Sequence, residues 1–131
     1  MISGKVVVFA TAWRDNAVLA QNLRNMANLT ETLVAHNMPF QTVLGRYNSA
    51  DEQALAIALH GRDMVAQVCR HVGVVYQQEC IGLLDLHDMS FGLMYPGGRY
   101  ELVGKFTAVT EAEAFRAEAS TYWQGQWWVA Q

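Results

Sequence analysis

An α+β architecture is predicted by this sequence: a two-layer sandwich with a mainly antiparallel sheet, helices packed on it and a ferredoxin-like core. Three observations carry the expectation. Apolar, β-branched runs and amphipathic helical stretches follow one another in the order strand, helix, strand, strand, helix, strand. A further hairpin and a short terminal helix come after them. The late run Tyr100 to Val109 alternates apolar with polar residues, as a strand with one solvated face does. With 131 residues, 52% of them apolar, the chain suits one domain spanning residues 1–131.

Lys5 to Trp13, KVVVFATAW, has no polar alternation and reads as a central strand covered on both faces. Asp15 and Asn16 offer N-cap chemistry, and Leu19, Leu23, Met26 and Leu33 recur at helical spacing until Asn37 and Pro39 end the pattern. Phe40 to Tyr47 is strand-like. The polar turn Asn48-Ser49-Ala50 then makes a hairpin with Glu52 to Leu59, whose Leu55, Ile57 and Leu59 share a face with alanines opposite. Gly61 to Val72 carries Met64, Val65, Val68, Cys69 and Val72 on one helical stripe, with Gly73 placed as a C-terminal glycine. Glu79 to Leu86 and Ser90 to Tyr95 return to strand, and Pro96-Gly97-Gly98 turns the chain into Tyr100 to Val109. Thr110 and Glu113 form a capping box for a third helix containing Phe115 and Ala119, and Trp127-Trp128-Val129 closes the sequence with side chains that need burial.

Composition excludes several function classes. Nine Lys+Arg against 12 Asp+Glu give a net charge of −3, which offers no footprint for nucleic acid phosphates. No apolar run approaches the roughly 20 residues of a membrane-spanning helix, and no cleavable leader pattern opens the chain, so no membrane partner and a cytoplasmic location are expected. Cys69 and Cys80 are too few for a disulfide scaffold. His36, His60, His71 and His87 are scattered, so no metal site is expected.

Chemistry is sought at strand ends, where polar side chains can leave the core. Thr11 to Asn16 gathers an indole, a guanidinium and polar groups within six residues, and the same segment also reads as an N-cap with a half-buried Trp13. Gly45 to Glu52 brings the Tyr47 phenol near two carboxylates, Asp51 and Glu52, across one hairpin, and also reads as a solvated turn. Tyr76 to Cys80 sets Gln77, Gln78 and Glu79 before an apolar run, as helix-to-strand connectors often do.

Together these segments resemble the phage-encoded enzymes that degrade S-adenosylmethionine, the SAM lyases formerly called SAM hydrolases. The likeness covers most of the chain. It rests on VVVFATAWRDN, Gly45-x-Tyr47, Asp51-Glu52 and Gln78-Glu79-Cys80, with a weaker echo in Gly92-Leu93-Met94-Tyr95, Gly98-x-Tyr100 and Gly104-Lys105-Phe106. The loop between Tyr47 and Asp51-Glu52 is several residues shorter than the family pattern, which leaves open whether Asp51 or Glu52 takes the acidic role.

The resemblance implies a homotrimer with active sites between subunits, in the host cytoplasm if the chain is phage-encoded. It implies a cofactor-free cleavage of SAM to methylthioadenosine and L-homoserine lactone. It further implies Glu52 and Tyr47 as the catalytic pair, with Gln78, Glu79, Trp13 and Asp51 binding substrate. Two alternatives stand beside it: a hydrolase giving homoserine, in which Glu52 activates water, and a non-catalytic module that binds a host protein. Convergence of Tyr47, Glu52 and Gln78 on one concave pocket separates an enzyme from such a module.

Overall fold

A computed structural model describes residues 5–131. The chain runs β1 (Lys5–Ala10), α1 (Leu19–Ala35), β2 (Phe40–Tyr47), β3 (Ala50–His60), α2 (Arg62–Val75), β4 (Ile81–Asp85), β5 (Ser90–Met94), β6 (Tyr100–Val109), α3 (Glu111–Arg116), β7 (Ala119–Trp123) and β8 (Gln126–Ala130). Every strand pair is antiparallel, and the order β1-β3-β2-β7-β8-β6-β5-β4 closes on itself because β4 pairs with β1.

The expected two-layer sandwich with a ferredoxin-like core is therefore corrected to a closed eight-stranded barrel carrying three helices. The reason lies in the last 13 residues. The expected third helix was to contain Ala119, but α3 ends at Arg116 and Ala119 opens β7. Strand β7 pairs with β2 through Leu44↔Tyr122 to Tyr47↔Ala119, and β8 pairs with β6 through Phe106↔Ala130 to Val109↔Trp127. This hairpin bridges two edges that an open sheet would leave free, and closure removes both.

Alternation along the strands feeds two cores. On β1, Val6, Val8 and Ala10 face outward and pack beneath Met26, Leu29 and Leu33 of α1 and Val65, Val68 and Val72 of α2. The same outer cluster takes Leu55, Ile57 and Leu59 of β3, as their spacing predicts. The other parity, Val7 with Ala54 and Ala56, points into the barrel with Val43, Leu84, Phe106 and Trp123. Small alanines on β3 leave room there for rings: Phe106 stacks on Phe91 at 4.7 Å and on Trp128 at 5.8 Å, and Phe9 meets Trp123 edge-on at 5.5 Å. Trp128 donates its indole N–H to the Trp123 carbonyl at 2.8 Å, so its polar edge is satisfied. Among the described residues, these side chains fill the inside of the barrel.

Two glycines have reasons other than those the sequence offers. Gly73 lies inside α2 rather than beyond it, and a Cβ there would stand 2.7 Å from the Pro96 ring. Gly82 on β4 leaves space for Phe91, whose ring would be 2.8 Å from an added Cβ. The β2–β3 hairpin turns through Asn48 and Ser49, both at positive φ (50° and 69°), the two-residue turn that suits the twist of paired strands. Among the described residues, no helix is long and apolar enough to cross a membrane.

Candidate active site

At the end of the barrel where β1 finishes, β3 and β4 begin: Ala10 pairs with Leu55 and Phe9 with Gly82. The β1–α1 connection and the α2–β4 connection therefore meet at this rim. Between them lies an open cleft of about 270 Å³ lined by Trp13, Arg14, Asp15, Asn16, Glu52, Gln77 and Gln78.

Local sequence explains how each side chain arrives. Asp15 and Asn16 do not cap α1, contrary to the expectation. The helix starts at Leu19 with Val18 at the cap position and no side-chain cap bond, which leaves Asp15 and Asn16 free to line the cleft. The β1–α1 loop is held by side chains around it. Thr11 donates its hydroxyl to the Gln53 carbonyl at 2.6 Å and accepts from the Trp13 amide at 2.9 Å. Buried Asn22 accepts from the Arg14 N–H at 2.9 Å and donates to the Arg14 carbonyl at 3.0 Å. From the opposite connection, Gln78 donates to the Trp13 carbonyl at 2.8 Å.

Glu52 comes from β3, opposite Gly45 of β2, and has the parity of Ala54 and Ala56, so it stands over the barrel mouth. Burial pushes its carboxyl above the ordinary 4.5, and the neighbouring Asp15 carboxylate adds to the rise. Asp51, one residue earlier, has the other parity. It pairs with Arg46 at 2.8 Å and is absent from the cleft lining.

The structure thus brings together Glu52, Gln78 and Trp13 and does not bring Tyr47, Glu79 or Asp51 to them. Tyr47 is 56% exposed at the end of β2, with its hydroxyl donating to Glu118 at 3.4 Å. Glu79 is exposed in the α2–β4 connection, outside the lining. Arg14, Asp15, Asn16 and Gln77 complete the cleft without having been singled out as site residues. For Asp15 and Asn16 the misleading signal was their capping chemistry. For Gln77 the visible signal was its place beside Gln78, and it sits at positive φ, 58°, which turns the connection over the rim.

Nothing in the cleft is an activated nucleophile. The two thiols lie elsewhere, and burial pushes Cys69 up to about 11 and raises Cys80. Among the described residues, no group of three or more His, Cys, Asp or Glu is arranged to hold a metal ion. A second cavity of about 250 Å³ between α1 and α2 is walled mainly by Leu29, Leu33, Met38 and Val68 and contains none of the expected residues.

The cleft can therefore bind and orient a polar, partly cationic molecule between two carboxylates, amides and an indole. A family model for S-adenosylmethionine lyases matches residues 8–131. The chain belongs to the S-adenosylmethionine lyase family. Membership makes S-adenosylmethionine the substrate and lysis of that molecule the activity. No curated protein matches the chain.

Proposed function

We propose that this S-adenosylmethionine lyase cuts its substrate by turning the substrate's own carboxylate on the carbon next to the sulfonium, releasing methylthioadenosine and L-homoserine lactone. The oxygen–carbon bond forms as the carbon–sulfur bond breaks, and the sulfonium leaves as a neutral thioether. The convergence of Glu52 and Gln78 beside Trp13 in one cleft carries this reading.

The chemistry suits such a cleft. Nucleophile and leaving group both belong to the substrate, so the protein needs to bend the methionyl chain and hold it, a positioning effect that supplies about 7–11 kcal/mol in favourable intramolecular cases. Charges within the substrate cancel in the transition state, so exclusion of water favours it over the solvated zwitterion. Glu52 and Gln78 orient the amino or ribose groups by hydrogen bonds, and Trp13 offers an aromatic wall. A carboxylate against the sulfonium would stabilise the reactant more than the transition state, so Glu52 acts by orientation rather than as a counter-ion.

Assembly as a homotrimer completes the site in this reading. The cleft is open and, at about 270 Å³, falls just under the roughly 300 Å³ at which small-molecule pockets begin. Val18, Leu19 and Leu23 expose apolar surface beside the cleft loop, and Tyr47 stands solvent-exposed at the end of the adjoining hairpin. A neighbouring copy that covered these residues would shelter the cleft and bring in Tyr47 from across the contact.

The hydrolase alternative has one observation in its favour: the raised pKa of Glu52 is the direction a water-activating base requires. Products separate the two. NMR of the reaction is expected to show the lactone first and homoserine only later; homoserine appearing first, with no lactone, would overturn the lyase mechanism.

A further inference from the structure

The β1–α1 loop provides four of the seven residues that line the cleft: Trp13, Arg14, Asp15 and Asn16. No regular element contains them. They lie between the end of β1 at Ala10 and the start of α1 at Leu19. Such a segment would ordinarily be the most mobile part of a site, and ordering it on binding would cost affinity and rate.

We infer that Asn22 is a positioning residue, a clamp on α1 that fixes the Trp13–Asn16 loop in its binding geometry before substrate arrives. Asn22 is only 3% exposed, and it and Ser120 are the buried polar residues among those described. Both ends of its amide are used on one residue: the oxygen accepts from the Arg14 N–H at 2.9 Å and the nitrogen donates to the Arg14 carbonyl at 3.0 Å. The side chain therefore replaces the strand partner that Arg14 lacks once β1 has ended, and it does so from the first turn of the helix that the loop leads into. A buried amide costs free energy unless every polar atom is paired, so Leu would fill the site more cheaply if packing were all that was needed. Two further bonds converge on the neighbouring residue: the Trp13 amide donates to Thr11, and Gln78 donates to the Trp13 carbonyl. Two consecutive residues, Trp13 and Arg14, are thus held at both their N–H and C=O groups. The consequence falls on Asp15, which this frame sets close enough to Glu52 to affect its ionisation.

The inference rests on the proposed reaction for its kinetic consequence, and its physical content is tested without it. In the free wild-type protein, hydrogen exchange at the Arg14 amide is expected to be slowed well below that of an exposed loop amide; exchange at the open-loop rate would overturn the clamp. In Asn22→Leu, which keeps the branching of the side chain and removes both bonds, that amide is expected to exchange about tenfold faster or more. The Glu52 carboxyl, followed by ¹³C NMR, is expected to titrate closer to the ordinary 4.5 as Asp15 and the covering loop move away. With S-adenosylmethionine as substrate, kcat is expected to fall about 10- to 100-fold, more than KM changes, because loss of alignment penalises the reacting geometry.

A folded Asn22→Leu protein with unchanged Glu52 titration and unchanged kcat would refute the inference. If that variant fails to fold, Asn22→Ala, which removes both bonds without adding bulk, gives the same readouts. Wild-type protein inert towards S-adenosylmethionine would refute the proposed reaction, while exchange and titration would still decide the clamp.

Discussion

Replacing Phe106 by alanine is expected to cost about 3–5 kcal/mol and to test the closed barrel directly. Phe106 is 7% exposed, and its ring lies 4.7 Å from Phe91, 5.5 Å from Phe9 and 5.8 Å from Trp128. An aromatic side chain of this kind buries on the order of 200 Å². At about 25 cal/mol per Å² that corresponds to about 5 kcal/mol, and compactness of the unfolded chain lowers the figure to about 3–4.5 kcal/mol. The midpoint of thermal unfolding should fall by on the order of 10–20 °C. Urea denaturation followed by the fluorescence of Trp123 and Trp128, which report from the same interior, measures the change. The decisive comparison is a double-mutant cycle with Phe9→Leu. Strands β1 and β6 are separated by β4 and β5 in the sheet, so Phe9 and Phe106 meet only through the interior. Their coupling is expected to be about 0.5–1.5 kcal/mol. A loss below about 1 kcal/mol for Phe106→Ala, with no measurable coupling to Phe9, would refute the filled barrel.

Other expectations follow from the site and its frame. Glu52→Gln should lower kcat/KM by about 100-fold, whereas Asp51→Asn, which breaks a half-buried pair with Arg46, should cost about 1 kcal/mol of stability and leave the rate far above that of Glu52→Gln. Because the folded-state pKa of Glu52 is raised by burial and by Asp15, the native protein holds that proton more tightly than the unfolded chain. Stability is then lost as pH rises from the ordinary 4.5 through the raised value, and thermal scans should show Glu52→Gln more stable than wild type above that window. Gly82→Ala should destabilise by about 2 kcal/mol, since the new methyl would sit 2.8 Å from the Phe91 ring inside a packed cluster; an unchanged urea midpoint would contradict that packing. Thr110→Ala removes the cap that accepts from the Glu113 amide at 3.2 Å and should cost about 1 kcal/mol in the same assay. Light scattering should report a trimer, and an active monomer would contradict a site shared between copies.

What could be read from residues alone was whatever depends on local periodicity. The alternation of Leu55, Ile57 and Leu59 with small alanines gave both faces of β3, and Thr110 with Glu113 marked α3 to within a residue of its start. Closure of the sheet was not legible. It depends on pairing between Tyr47 and Ala119 and between Phe106 and Ala130, contacts between distant segments that leave no periodic trace in either one. Ala119 reads as part of the third helix because it stands four residues after Phe115, whereas the turn at Gln124-Gly125, both at positive φ, is the sign of a hairpin. At the site, strand ends pointed to Trp13, Glu52 and Gln78. Parity along β3 separates Glu52 from Asp51, a distinction the short loop had left open. The role of Asn22 was hidden because an asparagine on a helix looks like surface until its neighbours are known.

The solid aromatic plug has a practical corollary for anyone who wishes to alter this catalyst. Since rings pack the inside of the cylinder, recognition falls to one rim, on two short connectors and the strand end that carries Glu52, and each connector also sends a residue into the core, Ala12 from one and Tyr76 from the other. Redesign for new sulfonium substrates can accordingly vary the cleft-lining positions Arg14, Asp15, Asn16 and Gln77, whereas Ala12 and Tyr76 have to stay if the fold is to hold.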